Sequence, residues 1–118
     1  MIRGECTTTF AEQLKLKADM FGMNTNIDDE IQEIKHNMNK VFYRREYIID
    51  LYTPKGTMAI GGHCDARSTF FIPSYVAPLY YRQLFIEELH KLGFTDSDLE
   101  LSDKDTYTCH TYRIIVRW

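Results

Sequence analysis

A chain of 118 residues, 44% of them hydrophobic and 26% charged, has the size and composition of a single globular domain, 1–118, which excludes extensive disorder. The net charge of -3 argues against a protein that binds duplex nucleic acid, because such proteins carry an excess of basic residues. There is no apolar run long enough to cross a membrane, and the 3 cysteines without a secretory segment predict free thiols in the cytoplasm.

Two helices are predicted before the first strand. The first is predicted over 10–21, because Thr9 and Glu12 have the spacing of a capping box and Gly22 stands where helices often terminate. The second is predicted over 27–42, where apolar residues recur every three or four positions and acidic residues fill the first turn. Both helices are therefore predicted to be amphipathic.

The period of the apolar residues then falls to two, which is typical of strands. Strands are predicted over 47–52, 57–63 and 69–72, and turns are predicted between them at 53–56 and 65–68. Because the connections between these strands are so short, the segment is predicted to form an antiparallel meander.

A third helix and a final hairpin complete the predicted elements. The helix is predicted to begin at Pro78 and to end at Gly93, since proline favours the first helical position and glycine the position after the last. A short strand over 99–101 and a long strand over 106–118 are joined by a turn at 102–105. The side chains predicted to share one face of the long strand are His110, Tyr112, Ile114, Val116 and Trp118.

The predicted order of elements, α-α-β-β-β-α-β-β, is typical of the α+β class. An antiparallel sheet of about five strands needs an apolar cover on at least one face, and three helices are predicted to provide it. If the last strand lay at the edge of the sheet, it would pair with a second copy and form a homo-oligomer. The alternative is an internal strand that is paired on both sides.

Aromatic residues and arginines stand side by side at several positions in the sequence. An aromatic ring beside a guanidinium can stack on a base and bind a phosphate, and the same pair is common in protein interfaces. The alternative is an ordinary amphipathic surface that covers the edge of the core. The candidate binding residues are Tyr43, Arg44, Arg45, Tyr81, Arg82, Tyr112, Arg113, Arg117 and Trp118.

Histidines and cysteines form a second group of candidates, His63, Cys64 and Asp65 with Cys109 and His110. Such residues bind zinc or act as a thiol nucleophile with an imidazole base. Neighbouring side chains on a strand point to opposite faces, however, and the usual spacing of zinc-binding cysteines is absent. No metal site, no cofactor and no catalytic residue is therefore predicted, and ordinary packing of these side chains is the preferred interpretation.

Several stretches resemble small accessory proteins of bacteriophages and mobile elements. They are Phe-Ala-Glu-Gln-Leu-Lys at 10–15, Ile-Gln-Glu-Ile at 31–34, Tyr-Ile-Ile at 47–49, Leu-His-Lys-Leu-Gly-Phe at 89–94 and the final strand at 112–118. The resemblance implies a compact protein of the host cytoplasm that binds host factors or sequesters ligands. It assigns a function to no individual residue.

The leading hypothesis is a non-enzymatic binding protein that inhibits a host or defence factor through protein contacts. Mild acidity, the small size and the Tyr/Arg pairs favour it. One alternative is a protein that binds a nucleotide or another small ligand through arginine and tyrosine side chains. The other is a small Cys/His-dependent enzyme that uses Cys64 or His110.

Overall fold

The computed structural model describes residues 9–20, 25–54, 66–107 and 109–118. The helices and strands, in chain order, are α1 (Phe10–Met20), α2 (Asp28–Lys40), a 3-10 turn (Phe42–Arg44), β1 (Glu46–Pro54), β2 (Arg67–Phe71), α3 (Pro78–Lys91), a second 3-10 turn (Asp96–Asp98), β3 (Leu99–Asp105) and β4 (Cys109–Arg117). The α+β class predicted from the sequence is confirmed.

The sheet is mixed, with the strand order β2-β1-β4-β3. β4 runs antiparallel to both β1 and β3, whereas β2 runs parallel to β1. The predicted antiparallel meander is wrong, because the strands predicted at 47–52 and 69–72 are direct neighbours in the sheet and run parallel. Parallel neighbours need a connection of about a dozen residues rather than a tight turn. The described residues form four strands against the five predicted, and the strand predicted at 57–63, with half of the turn predicted at 53–56, lies outside them.

The strand boundaries differ from the predicted ones most where turns were predicted. Thr53 and Pro54 belong to β1, and Arg67 and Ser68 belong to β2, so these four residues are not in turns. β3 extends beyond 101 as far as Asp105, because every residue of this strand has a partner in β4. The predicted turn at 102–105 is therefore wrong, and the chain reverses nearer to β4.

One face of the sheet, which we call the first face, carries the hydrophobic core. The strands contribute Tyr47, Ile49, Leu51, Leu99, Leu101, Ile114 and Val116, and α2 and α3 contribute Ile31, Ile34, Met38, Tyr80, Tyr81, Phe85, Ile86 and Leu89. Burial of one large apolar side chain stabilises the fold by about 1.5–3 kcal/mol. The alternation predicted for β1 is confirmed, since Tyr47, Ile49 and Leu51 all lie in this core. On β4, Ile114 and Val116 lie in the core and Tyr112 packs against it, whereas His110 and the exposed Trp118, just after β4, do not belong to it.

Two helices, rather than the three predicted, cover the first face. α1 approaches α3, but its described side chains are exposed, with Phe10 74% and Leu14 50% accessible. Four strands at about 4.8 Å spacing make a face about 19 Å wide, and two helices packed about 10 Å apart already span that width. α1 therefore has no room on this face, whatever its apolar pattern.

The ends of α2 and α3 follow from local sequence. The Asn26 side chain accepts a hydrogen bond of 2.8 Å from the amide of Asp28, at the start of α2. α3 begins at Pro78 as predicted, and it ends in a Schellman motif. In that motif Gly93 has φ 105, and the amide of Phe94 donates to the carbonyl of Leu89 at 3.1 Å.

β4 lies inside the sheet, between β1 and β3. The prediction that its edge would pair with a second copy is therefore wrong, and the alternative of an internal strand is confirmed. The reason is that β1 and β3 both carry alternating apolar residues. On each side of β4, these residues form buried cross-strand pairs with the apolar residues of β4.

Candidate functional site

The 3-10 turn after α2 and the last residue of the described chain meet at one corner of the molecule. The amide of Trp118 donates to the carbonyl of Arg45 at 3.1 Å, and the indole Nε1 donates to the carbonyl of Phe42 at 3.1 Å. We call this group the aromatic corner, and it consists of Phe42, Tyr43, Arg44, Arg45 and Trp118. These bonds tie the backbone of the 3-10 turn to the end of β4.

The side chains of the aromatic corner project into solvent. Phe42 and Tyr43 are each 66% accessible, and their rings meet edge to face with centroids 5.9 Å apart. The guanidinium carbon of Arg44 lies 5.9 Å from the centre of the Tyr43 ring, which is within the range of a cation–π contact. Arg45 has φ 60, a left-handed conformation that is uncommon outside glycine.

Among the described residues, no carboxylate forms an ion pair with the arginines of the aromatic corner. Within the described ranges, Arg44 and Arg45 have no ion pair, and the nearby Lys40 at the end of α2 is exposed and also has none. The corner therefore combines exposed aromatic surface with local positive charge, although the whole chain has a net charge of -3.

The opposite side of the sheet, which we call the second face, carries most of the remaining arginines. Its residues are Glu46, Ile48, Asp50 and Tyr52 on β1, Arg67, Thr69 and Phe71 on β2, Glu100, Ser102 and Lys104 on β3, and Cys109, Thr111, Arg113, Ile115 and Arg117 on β4. The buried side chains of α2 and α3 belong to the core on the first face. No helix among the described segments therefore buries side chains against the second face.

Asp50 is the buried centre of an ion cluster on the second face. Its carboxylate is 0% accessible and accepts a forked pair of bonds from Arg113, Nε to Oδ1 at 2.7 Å and Nη2 to Oδ2 at 3.2 Å. Arg67 Nε lies 3.5 Å from Oδ2 of the same carboxylate. Hydrogen bonding to Asp50 raises the pKa of the Arg113 guanidinium.

A second ion cluster on the same face is centred on Arg117. Its Nε donates to Glu46 at 2.9 Å, and its Nη1 donates to Glu100 at 2.5 Å. These hydrogen bonds, that to Glu100 first, raise the pKa of the Arg117 guanidinium. All three side chains are one-third or more accessible, so solvent screens the cluster and its contribution to stability is small.

Arg82 on α3 and Tyr112 on β4 lie on the first face of the sheet, which the helices cover, away from the aromatic corner and from the two ion clusters. The Arg82 guanidinium donates to Asp103 at 2.6 Å and lies 5.5 Å from the centre of the Tyr112 ring. Tyr112 is half-buried against the core, and burial, followed by the charge of Asp103, raises the pKa of its phenol. Strand alternation separates Tyr112 from Arg113, which points to the second face.

Tyr81 is part of the core rather than of a surface. It is 3% accessible, and its hydroxyl donates to Glu30 on α2 at 3.4 Å. Burial, followed by the charge of Glu30, raises the pKa of the Tyr81 phenol from 10.0 to about 12.

We expect the stability of Tyr81→Phe to fall less steeply than that of the wild type as the pH rises through the alkaline range. Because the pKa is raised on folding, the unfolded chain loses this proton first, and the stability present below pH 10.0 is lost as the pH rises to about 12. Thermal melts at a series of pH values measure this slope. The control is Tyr107→Phe, at a side chain 98% accessible, which should keep the wild-type slope. An unchanged slope for Tyr81→Phe would contradict the assignment.

Cys109 and His110 point to opposite sides of β4, as their adjacency predicts. The Cys109 thiol is buried beside the hydroxyls of Thr106 at 3.6 Å and Thr111 at 3.8 Å. The His110 ring stacks on Tyr112 with centroids 4.3 Å apart. Among the described residues, no group of three or more His, Cys, Asp or Glu side chains could hold a metal ion. His63, Cys64 and Asp65 lie outside the described residues.

The predicted binding residues therefore occupy four places. Tyr43, Arg44, Arg45 and Trp118 meet at the aromatic corner, Arg113 and Arg117 lie on the second face, Arg82 and Tyr112 lie on the helix side, and Tyr81 is in the core. Sequence reasoning missed Phe42, which was assigned to the stripe of α2. It also missed Asp50, and the signal for this residue was a lone carboxylate between apolar residues of a predicted strand.

Comparison with protein-family models, with curated proteins and with solved structures gives no match for this chain. None of the helices in the described ranges is both long enough and apolar enough to span a membrane.

Proposed function

We propose that this chain is a non-enzymatic binding protein that inhibits a host or defence factor by docking the aromatic corner onto an acidic patch of that protein. The observation that carries the proposal is the convergence of exposed Phe42, Tyr43 and Trp118 with two arginines on one fixed turn. Residues of these types contribute a large share of the binding energy in protein interfaces.

Charge complementarity supports an acidic partner. The arginines of the aromatic corner and Lys40 carry no compensating carboxylate among the described residues. Such a patch speeds association with a surface of opposite sign and disfavours basic partners.

A nucleotide or another small ligand is the second candidate, since an aromatic ring and a guanidinium can bind a base and a phosphate. Small-ligand sites are concave and bury most of the ligand. Phe42 and Tyr43 are each 66% accessible, so a small ligand stacked on either ring would stay largely exposed to solvent. The exposure of these rings therefore favours a protein partner over a nucleotide.

The experiment compares three purified, tagged baits in the same host lysate. They are the wild type, a corner variant carrying Tyr43→Ala and Arg44→Glu, and the control Tyr107→Ala at another exposed tyrosine. We expect at least one protein that the wild type and the control retain and that the corner variant loses. With that protein purified, we expect the corner variant to raise Kd by about 30-fold or more, as for interface hot spots.

Two results would count against this function. One is a set of captured proteins that the corner variant retains as well as the wild type does. The other is a thermal-shift screen in which a nucleotide raises Tm in the wild type but not in the corner variant, which would favour the second candidate.

A further inference from the structure

On the second face, acidic and basic side chains lie at equivalent positions on opposite sides of the line between β1 and β4, the two central strands. β1 carries the carboxylates of Glu46 and Asp50, and β4 carries the guanidiniums of Arg117 and Arg113 directly opposite them. Each acidic residue of β1 is therefore matched by a basic residue of β4 in the same row.

The flanking strands repeat this arrangement in the row between those two pairs. Arg67 on β2 and Glu100 on β3 lie in one row, and Ile48 and Ile115 lie between them. The row therefore reads basic, apolar, apolar, acidic from β2 to β3. In these three rows, each charged residue on one side of the line between β1 and β4 has a residue of opposite charge at the equivalent position on the other side. Ile48 and Ile115 are equivalent in the same way.

We propose that the second face binds the second face of another copy of this chain, around a two-fold axis that runs parallel to the strands between β1 and β4. A two-fold interface needs a surface that is complementary to itself. This axis sets β1 of one copy against β4 of the other and β2 against β3. Arg67 then faces Glu100 of the second copy, and Ile48 faces Ile115 of the second copy.

The rows on either side of the Ile48 row also bring complementary side chains together around this axis. Glu46 faces Arg117 of the second copy, so the Arg117 cluster is extended across the interface. Arg113 of the second copy lies over the row of Asp50, whose carboxylate is buried beneath its own arginines. In the row beyond, Lys104 on β3 faces the ring of Phe71 on β2, which is 52% accessible. An ammonium group over an aromatic face is a favourable contact.

A two-fold axis at right angles to the strands gives the opposite result. It would set Arg67 against Arg67 and Glu100 against Glu100 of the second copy, because it leaves each strand facing its own equivalent. Like charges placed opposite each other are unfavourable. The charge pattern therefore selects one orientation of the second copy.

Sheet geometry permits this pairing. Stacked sheets cross at about 30°, which displaces a strand about 7 Å from the axis by about 4 Å, within the reach of arginine and glutamate side chains. Four strands and the rows between Glu46 and Tyr52 project an area on the order of 400 Å² per copy. That area is below the standard size, so we expect a dimer that depends on protein concentration.

A second copy fits the second face better than a polyanion does. Asp50, Glu46 and Glu100 stand among the arginines of this face, so a phosphate backbone would meet like charges there, whereas a second copy presents charges of both signs. The second face shares no residue with the aromatic corner, so a dimer through this face is independent of the proposed function.

A charge-swap experiment tests the dimer by sedimentation velocity, from about 10 μM to about 1 mM, the range expected for a small interface. We expect the wild type to dimerise as concentration rises. Arg67→Glu and Glu100→Arg, each alone, should raise the dimer Kd at least about tenfold, because each puts like charges opposite each other. An equimolar mixture of these two variants should dimerise again, because the reversed residues then face each other with opposite charges.

The control is Lys35→Glu, a charge reversal at an exposed position of α2, which should dimerise as the wild type does. The corner variant should also dimerise as the wild type does, so failure of this inference is distinguishable from failure of the proposed function. A wild type that stays monomeric, variants that dimerise normally, or a mixture that stays monomeric would each overturn the inference.

Circular dichroism shows whether each variant is folded. If either variant is unfolded, the dimer Kd of the wild type is measured against salt instead. Charged contacts across the interface should raise that Kd at least about tenfold between low salt and 1 M ionic strength, where charges are screened within about 3 Å. A dimer that is insensitive to salt would overturn the inference.

Discussion

Phe85→Ala is expected to lower the free energy of unfolding by about 3–5 kcal/mol, because it truncates a large ring in the centre of the core. Phe85 lies in the middle of α3 and is 0% accessible. The centre of its ring is 5.5 Å from that of Phe70 on β2 and 5.2 Å from that of Tyr81. Alanine removes both ring contacts and leaves a cavity between the helix and the sheet.

Urea denaturation followed by circular dichroism measures this loss for Phe85→Ala. The control is Phe42→Ala, the same change at a ring that is 66% accessible, which should alter stability by about 0.5 kcal/mol or less. A loss below about 1 kcal/mol for Phe85→Ala would contradict the packing of α3 against the first face.

Asp50→Ala is expected to lower the free energy of unfolding by about 2–3 kcal/mol. The change removes a fully buried carboxylate and leaves the Arg113 and Arg67 guanidiniums side by side without their common partner. The two guanidiniums are 32% and 38% accessible, so solvent relieves part of the effect and the loss stays below that of a fully buried pair.

A double-mutant cycle separates the ion pair from simple loss of packing. Arg113→Met alone leaves Asp50 beside Arg67 only, and Asp50→Ala with Arg113→Met removes the forked pair altogether. We expect the double variant to be more stable than the sum of the two single losses predicts, by about 1 kcal/mol or more. These measurements use low protein concentration, so that dimer formation does not contribute. Strict additivity would show that the forked pair is not formed in solution.

The aromatic corner shows how little of a recognition surface sequence pattern alone can define. Four of the predicted residues meet there, yet Phe42 joins them only because α2 ends at Lys40 and the chain turns before β1. The pairs Tyr112–Arg113 and Arg117–Trp118 could not remain together in any sheet, because neighbours on a strand point to opposite faces. The alternation of side chains along a strand therefore already predicts that the two members of each of these pairs lie on different faces.

The sequence by itself determined α2, α3 and the alternation of β1 and β4, because these depend on periodicity, capping and turn residues within short segments. Only the tertiary structure decided that β2 runs parallel to β1, that β4 is internal and that α1 is excluded from the first face. Those features depend on which distant segments pack together and on how much width two helices occupy. Contacts of that kind are set by the whole folded chain and leave no local pattern.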